Sequence, residues 1–155
     1  AETHVNKSVM TRVLNVDPDF IIKNWTYFPI VSAMAGTHGN AIHVSNALTA
    51  IYLATGQDTA CVAENSIGHF TIEKIDDGIT WRLTLPSLTV GTVGGGTRLN
   101  QQQQNLQLLG CDNGEHASRK LAEIIAAAAL GLEISLGSAI MSHTWTSAHM
   151  KYGRK

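Results

Sequence analysis

A chain of 155 residues is sized for one domain with a proper hydrophobic core. Its net charge of −1, with only 15% charged residues, offers no basic footprint for nucleic acid or an anionic membrane surface. Cys61 and Cys111 stand far apart with no CxxC pairing, which excludes a disulfide framework or zinc knuckle and makes a reducing, cytoplasmic setting the default.

No signal peptide is visible, and the start Ala-Glu-Thr-His has no initiator Met, so a processed, cut or internal start is expected. Residues 7–15 place Val9, Met10, Val13 and Leu14 at helical spacing. Asp17-Pro18-Asp19 predicts a second helix, with Asp17 as cap, Pro18 at its first position and Phe20, Ile21 and Ile22 on its apolar side. Residues 24–29 are expected to be irregular, with Trp25, Tyr27 and Phe28 crowding toward a small-residue turn, Ser32-Ala33-Met34-Ala35-Gly36.

From Ala41 to Ala54 nearly every residue is apolar or small and none is charged apart from the titratable His43. This predicts a helix of about four turns, buried all round. It would end at Gly56 and bring three polar groups, His43, Asn46 and Asp58, to one reaction centre. Asp58 alone reads first as a turn or cap residue. A carboxylate closing an uncharged helix is also a candidate for a raised pKa and proton transfer. Thr59 to Ala63 reads as helical continuation, and Glu64-Asn65-Ser66 as a loop outside the site.

The period then switches to two. Residues 69–75 and 79–85 alternate about Asp76-Asp77-Gly78, a hairpin with good turn chemistry. Residues 87–93 are expected to form a third strand. It runs into Gly91-Thr92-Val93-Gly94-Gly95-Gly96-Thr97, a glycine loop at a helix start that suits either a tight turn or an anionic ligand. It lacks the Walker A ending and the spaced glycines of a Rossmann turn. Helical spacing returns at residues 98–109, and a long alanine-rich helix is predicted over 115–142. Glu123 and Glu133 bracket its most apolar run, which falls short of the roughly 18 charge-free residues of a membrane span, so no membrane contact is expected. Residues 144–155 read as a polar, mobile tail. The layout is α+β, with long buried helices packed on a small antiparallel sheet. The sheet's edges call for a partner. None of the seven histidines falls in a metal-ligand pattern, so no metal is assigned. His149 reads as solvated, or as a mobile general acid.

Five strings in order resemble one family. They are Ser32-Ala33-Met34-Ala35-Gly36, Asn46-Ala47-Leu48-Thr49-Ala50-Ile51-Tyr52, Gly56-Gln57-Asp58, Pro86-Ser87-Leu88 with Gly91 to Thr97, and Ser147-Ala148-His149-Met150. Together they resemble 3-hydroxy-3-methylglutaryl-coenzyme A (HMG-CoA) reductase of the class I type, over nearly the whole chain. The resemblance implies NADPH-dependent reduction of HMG-CoA to mevalonate and CoA, with NADH as the alternative reductant and no metal. It implies that Asp58 joins the proton relay at the substrate oxygen and that His149 protonates the departing coenzyme A thiolate. His43 and Asn46 would bind substrate, and Gly91, Thr92, Val93, Gly94, Gly95, Gly96 and Thr97 would hold the cofactor.

By the same resemblance, residues 1–143 are the C-terminal half of the large, substrate-binding catalytic domain, and residues 144–155 its tail. The family's catalytic lysine and glutamate, and its small cofactor domain, would lie in an N-terminal part of the same enzyme. The chain alone would then be inactive, and a homodimer or higher oligomer would form the site. Two positions depart from the pattern. The family lysine that binds the substrate carboxylate falls at Tyr27, with Lys23 the nearest lysine, and the serine before the tail histidine is Ala148. These departures leave a non-catalytic CoA-thioester-binding or assembly module as the alternative.

Overall fold

The computed structural model describes residues 1–153. Its sheet has three antiparallel strands, Glu2–Asn6 (β1), His69–Ile75 (β2) and Gly78–Thr84 (β3), in the order β1-β3-β2. The expected hairpin forms as β2, His69–Ile75, and β3, Gly78–Thr84, with His69 opposite Thr84 and Ile75 opposite Gly78. Asp76 takes the left-handed conformation at φ +48°, which a short polar side chain tolerates.

The third strand differs from the expected one. It is β1, Glu2–Asn6, paired from Glu2↔Arg82 to Asn6↔Gly78. This edge strand holds Val5 as its one large apolar residue, so it carries almost no alternation to read. Residues 87–93 form no strand because side chains take the place of a ladder. Tyr52 Oη donates to the Thr89 carbonyl at 3.0 Å, Asn65 Nδ2 donates to the same oxygen at 3.1 Å, and Gln57 bonds both backbone groups of Gly91.

Helix α1, Lys7–Arg12, follows β1 and buries Met10. Helix α2, Pro18–Trp25, starts as its sequence predicts, with the Asp17 side chain accepting from the N–H groups of Asp19 and Phe20. Lys74 donates to Asp19, tying α2 to β2, and this ammonium holds the Asp19 carboxyl below its usual range. Of residues 24–29, expected to be irregular, Asn24 and Trp25 end α2 and Phe28 and Pro29 begin α3, Phe28–Met34, which also takes in Ser32 to Met34 of the expected small-residue turn. Trp25 stacks on Phe28 at 5.0 Å and meets Phe70 edge-on at 5.1 Å, while Tyr27 projects into solvent, 67% exposed.

Helix α4, Val44–Thr55, starts three residues later than its composition suggests. The N–H groups of Asn40 and Ala41 bond the Gly68 carbonyl, and those of Ile42 and His43 bond the Glu133 carboxylate, which holds residues 40–43 out of the helix. Gly56 ends it at φ +72°, as predicted. Burial of α4 is one-sided. Val44, Ala47, Leu48, Tyr52 and Thr55 are buried, but Leu53 is 60% exposed, because the described residues cover one face only.

A 3-10 turn, Thr59–Cys61, and α5, Val62–Asn65, continue helically as expected through Ala63, but α5 also takes in Glu64 and Asn65, expected as loop. After a second 3-10 turn, Gly95–Arg98, come α6, Asn100–Leu108, and α7, Ala117–Met141. Helix α7 runs 25 residues through both glutamates and, by length and composition, is long enough to cross a membrane. Here its Leu121, Ile125, Ala129 and Ile134 join the core cluster with α4 and the sheet. Within the stretch expected to be a polar, mobile tail, residues 144–152 form α8, Thr144–Tyr152, after His143 turns the chain at φ +58°, and residues 154–155 of that stretch lie outside the described residues. Leu48 is fully buried in the core. Leu48→Ala is expected to cost about 2–5 kcal/mol, read as a lowered denaturation midpoint.

Candidate functional site

The structure divides the predicted site residues between the two ends of α4. Its 12 residues, at about 1.5 Å each, separate those ends by about 18 Å. His43 and Asn46 stand at one end and Asp58 just beyond the other, so the three do not form one reaction centre within this chain. Each end has gathered its own partners.

At the N-terminal end His43 is half-buried and Asn46 exposed. They line a cleft of about 440 Å³ with Ile42, Leu132, Leu136, Trp145 and His149 among its walls. The fold thus brings His149 to His43 and Asn46 from more than a hundred residues away. Asn46 Nδ2 donates to His43 Nδ1 at 2.7 Å. With Nδ1 accepting, the neutral ring carries its proton on Nε2. His149 has the opposite arrangement. Its Nδ1 donates to the Trp145 carbonyl at 2.9 Å, and its ring lies on the Trp145 ring with centroids 4.2 Å apart. A carbonyl can only accept, so Nε2 of His149 is left free to take up or deliver a proton.

Beneath the cleft lies a residue the sequence did not single out. Glu133, 1% exposed, accepts from His43 N at 2.5 Å and Ile42 N at 3.1 Å. Spacing places Glu133 only as a charge bracketing an apolar run. Its role depends on a contact across ninety residues.

At the other end the Asp58 side chain accepts from Ala60 N at 3.0 Å and caps the 3-10 turn. The bland cap reading of Asp58 is therefore satisfied. Asp58 is exposed, and the burial expected of it is not supplied by the described residues. Burial first, then the negative charges of Asp58 and Glu64, push the neighbouring Cys61 thiol up from its ordinary pKa.

The glycine loop is fixed directly against this end. Gln57 Nε2 donates to the Gly91 carbonyl at 2.8 Å, and Gln57 Oε1 accepts from Gly91 N at 2.9 Å. The backbones of Gly56 and Gly96 touch so closely that a Cβ on Gly56 would sit 2.3 Å from the Gly96 carbonyl. Gln57 is the clamp between motif and loop, a role its place in the sequence alone does not reveal. Thr97, buried, donates to the Gly94 carbonyl at 2.5 Å and closes the turn.

The loop leaves room for a ligand close to its backbone. Gly91, Gly94 and Gly95 have open space where a Cβ would stand, and a cleft of about 180 Å³ runs over Thr92, Val93, Gly94, Thr97 and Arg98. No group of three or more His, Cys, Asp or Glu side chains able to hold a metal ion occurs among the described residues.

An α+β segment with a glycine loop clamped beside one carboxylate, and a histidine pair in a separate cleft, has the layout of part of a cofactor-dependent enzyme. Residues 1–154 match the family model for hydroxymethylglutaryl-coenzyme A reductase, and the chain belongs to that family. Proteins named 3-hydroxy-3-methylglutaryl-coenzyme A reductase are similar to it along 99% of its length. That of Methanocaldococcus jannaschii is 40% identical over 153 residues, with 36% of the relative covered. That of Aeropyrum pernix is 43% identical over 159 residues with 38% covered, and that of Aspergillus terreus 40% identical over 163 residues with 15% covered. The chain thus spans less than two-fifths of the length of these relatives.

Proposed function

We propose that the protein containing this chain reduces HMG-CoA to mevalonate and free CoA in the isoprenoid pathway, with NADPH as the reductant. The observation that carries this reading is the pinning of Asp58 to the glycine loop through Gln57–Gly91 and Gly56–Gly96. A proton-transfer group and a cofactor platform thereby move as one body.

In this reading Asp58 is part of the proton relay at the substrate oxygen, where reduction of a carbonyl develops negative charge. Residues Gly91 to Thr97 would hold the nicotinamide cofactor, which supplies hydride when bound. His43 and Asn46 bind substrate at the second cleft. His149, with Nε2 free, protonates the coenzyme A thiolate as it leaves.

The groups still needed, a lysine to stabilise the oxyanion and a catalytic glutamate, come from sequence outside these 155 residues. The modest share of each relative that is covered supports this. The distance of about 18 Å across α4 supports a site completed by that sequence and by a second copy of the chain. Residues 144–153 act in this reading as a closing element that carries His149. A cytoplasmic setting is part of the reading and rests on two unpaired thiols, Cys61 and Cys111.

His149→Gln tests the acid assignment. The helix keeps its length, since glutamine is a good helix former, but proton delivery to sulfur is lost. In the complete protein kcat is expected to fall about 10²- to 10⁴-fold, with substrate KM little changed, in an assay of HMG-CoA-dependent NADPH oxidation. Unchanged kcat would remove His149 from the mechanism.

A further inference from the structure

Glu133 is a glutamate in the middle of α7, buried to 1% exposure. Around it lie Trp25, Phe28, Ile42, Phe70 and Ile140, all apolar. No lysine or arginine forms an ion pair with it among the described residues. A buried carboxylate without a counter-ion costs several kcal/mol unless hydrogen bonds and dipoles offset it. The offset here comes from two N–H donors, Ile42 and His43, at the N-terminal end of α4, where the helix dipole favours negative charge.

The arrangement is unusual because the cap position is occupied by the wrong residue type. His43 is the N-cap of α4, and its side chain makes no capping bond. Glu133 instead bonds the N–H groups of Ile42 and His43, just ahead of the first turn, and so fixes from α7 the backbone that carries the imidazole. The ring itself accepts from Asn46 Nδ2 on the first turn of α4 and lines the cleft with Nε2–H. The His43 backbone, at φ −126° and ψ −4°, is non-helical and is held there by the same two bonds.

We propose that Glu133 is a positioning residue of the substrate cleft: by bonding the N–H groups of Ile42 and His43 from a second helix it holds the His43 backbone in place, so that the Asn46 bond keeps the ring in one tautomer with Nε2–H presented as a donor. The functional part of this inference rests on the reductase reading, whereas the tautomer part does not.

The test uses the complete protein, with the His43 ring signals identified by their loss in His43→Gln. In proton–nitrogen correlation spectra of the neutral imidazoles, wild-type His43 is expected to show a pyridine-like Nδ1 and a pyrrole-like Nε2. Glu133→Gln keeps the side-chain volume but replaces one acceptor with a donor facing an N–H. Its His43 signals are expected to move toward the average of the two tautomers. Turnover is expected to fall about 10- to 100-fold through misplacement of a binding group. On a His43→Gln background the same substitution adds less than about twofold, since the two act as a unit. If Glu133→Gln fails to fold, Glu133→Asp, shorter by one methylene with its charge kept, is read in the same way. A single-tautomer spectrum in the folded variant, or losses that multiply in the double variant, overturns the proposal. A complete protein with no HMG-CoA-dependent turnover overturns the reductase reading instead, and the spectra alone then decide the tautomer claim.

Discussion

Asp58→Asn in the complete protein is expected to remove about 10²- to 10⁴-fold of HMG-CoA-dependent NADPH oxidation while leaving the fold unchanged. The structure makes this a clean substitution. Among the described residues, the Asp58 side chain accepts one backbone hydrogen bond, from Ala60 N at 3.0 Å. Asparagine accepts the same bond through its amide oxygen and caps a helix about as well as aspartate. Loss of charge and of the exchangeable proton is then the one chemical change at this position. Steady-state kinetics alongside a thermal melt separates the two roles. An unchanged melt with lost turnover assigns Asp58 to the chemistry, and full activity removes it.

Gly56→Ala is expected to be the most disruptive single-methyl change in the site. Gly56 sits at φ +72°, where an L-residue is strained by about 1 kcal/mol or more. In addition the new Cβ would lie 2.3 Å from both the carbonyl carbon and oxygen of Gly96 and 2.7 Å from Thr97 N. These are backbone atoms of the glycine loop and cannot rotate away, so the loop has to move. Gly36→Ala is the internal control, since Gly36 has nearly the same φ, +76°, with nothing within 4 Å of the added carbon. Gly56→Ala should therefore destabilise by more than about 2 kcal/mol against about 1 for Gly36→Ala. It should also raise KM for NADPH, which Gly36→Ala should not. Equal losses for the two, with KM for NADPH unchanged, would mean that the Gly56–Gly96 contact does not place the loop.

Elements specified by their own residues were legible in the sequence. The Asp17-Pro18 start, the Gly56 stop, the 69–84 hairpin and the long α7 all depend on local chemistry and appear where it puts them. What was missed depends on distant partners. Strand β1 is defined by the strand it pairs with, and residues 87–93 lose their ladder to Tyr52, Asn65 and Gln57. The late start of α4 is imposed by Gly68 and Glu133. The site was legible as residue types and not as geometry. His43, Asn46 and Asp58 are close in sequence, but a straight helix carries sequence neighbours apart, whereas His149, remote in sequence, is folded back onto His43.

At Tyr27 an aromatic group, 67% exposed, stands where the family resemblance places a substrate-binding lysine. The most direct measurement is therefore the reaction itself: oxidation of NADPH by the complete wild-type protein, followed with and without HMG-CoA, together with release of free thiol. Oxidation is expected to require HMG-CoA, with two NADPH consumed for each CoA released, as a two-hydride reduction demands. Saturable binding of HMG-CoA with neither NADPH oxidation nor thiol release would contradict the reductase reading.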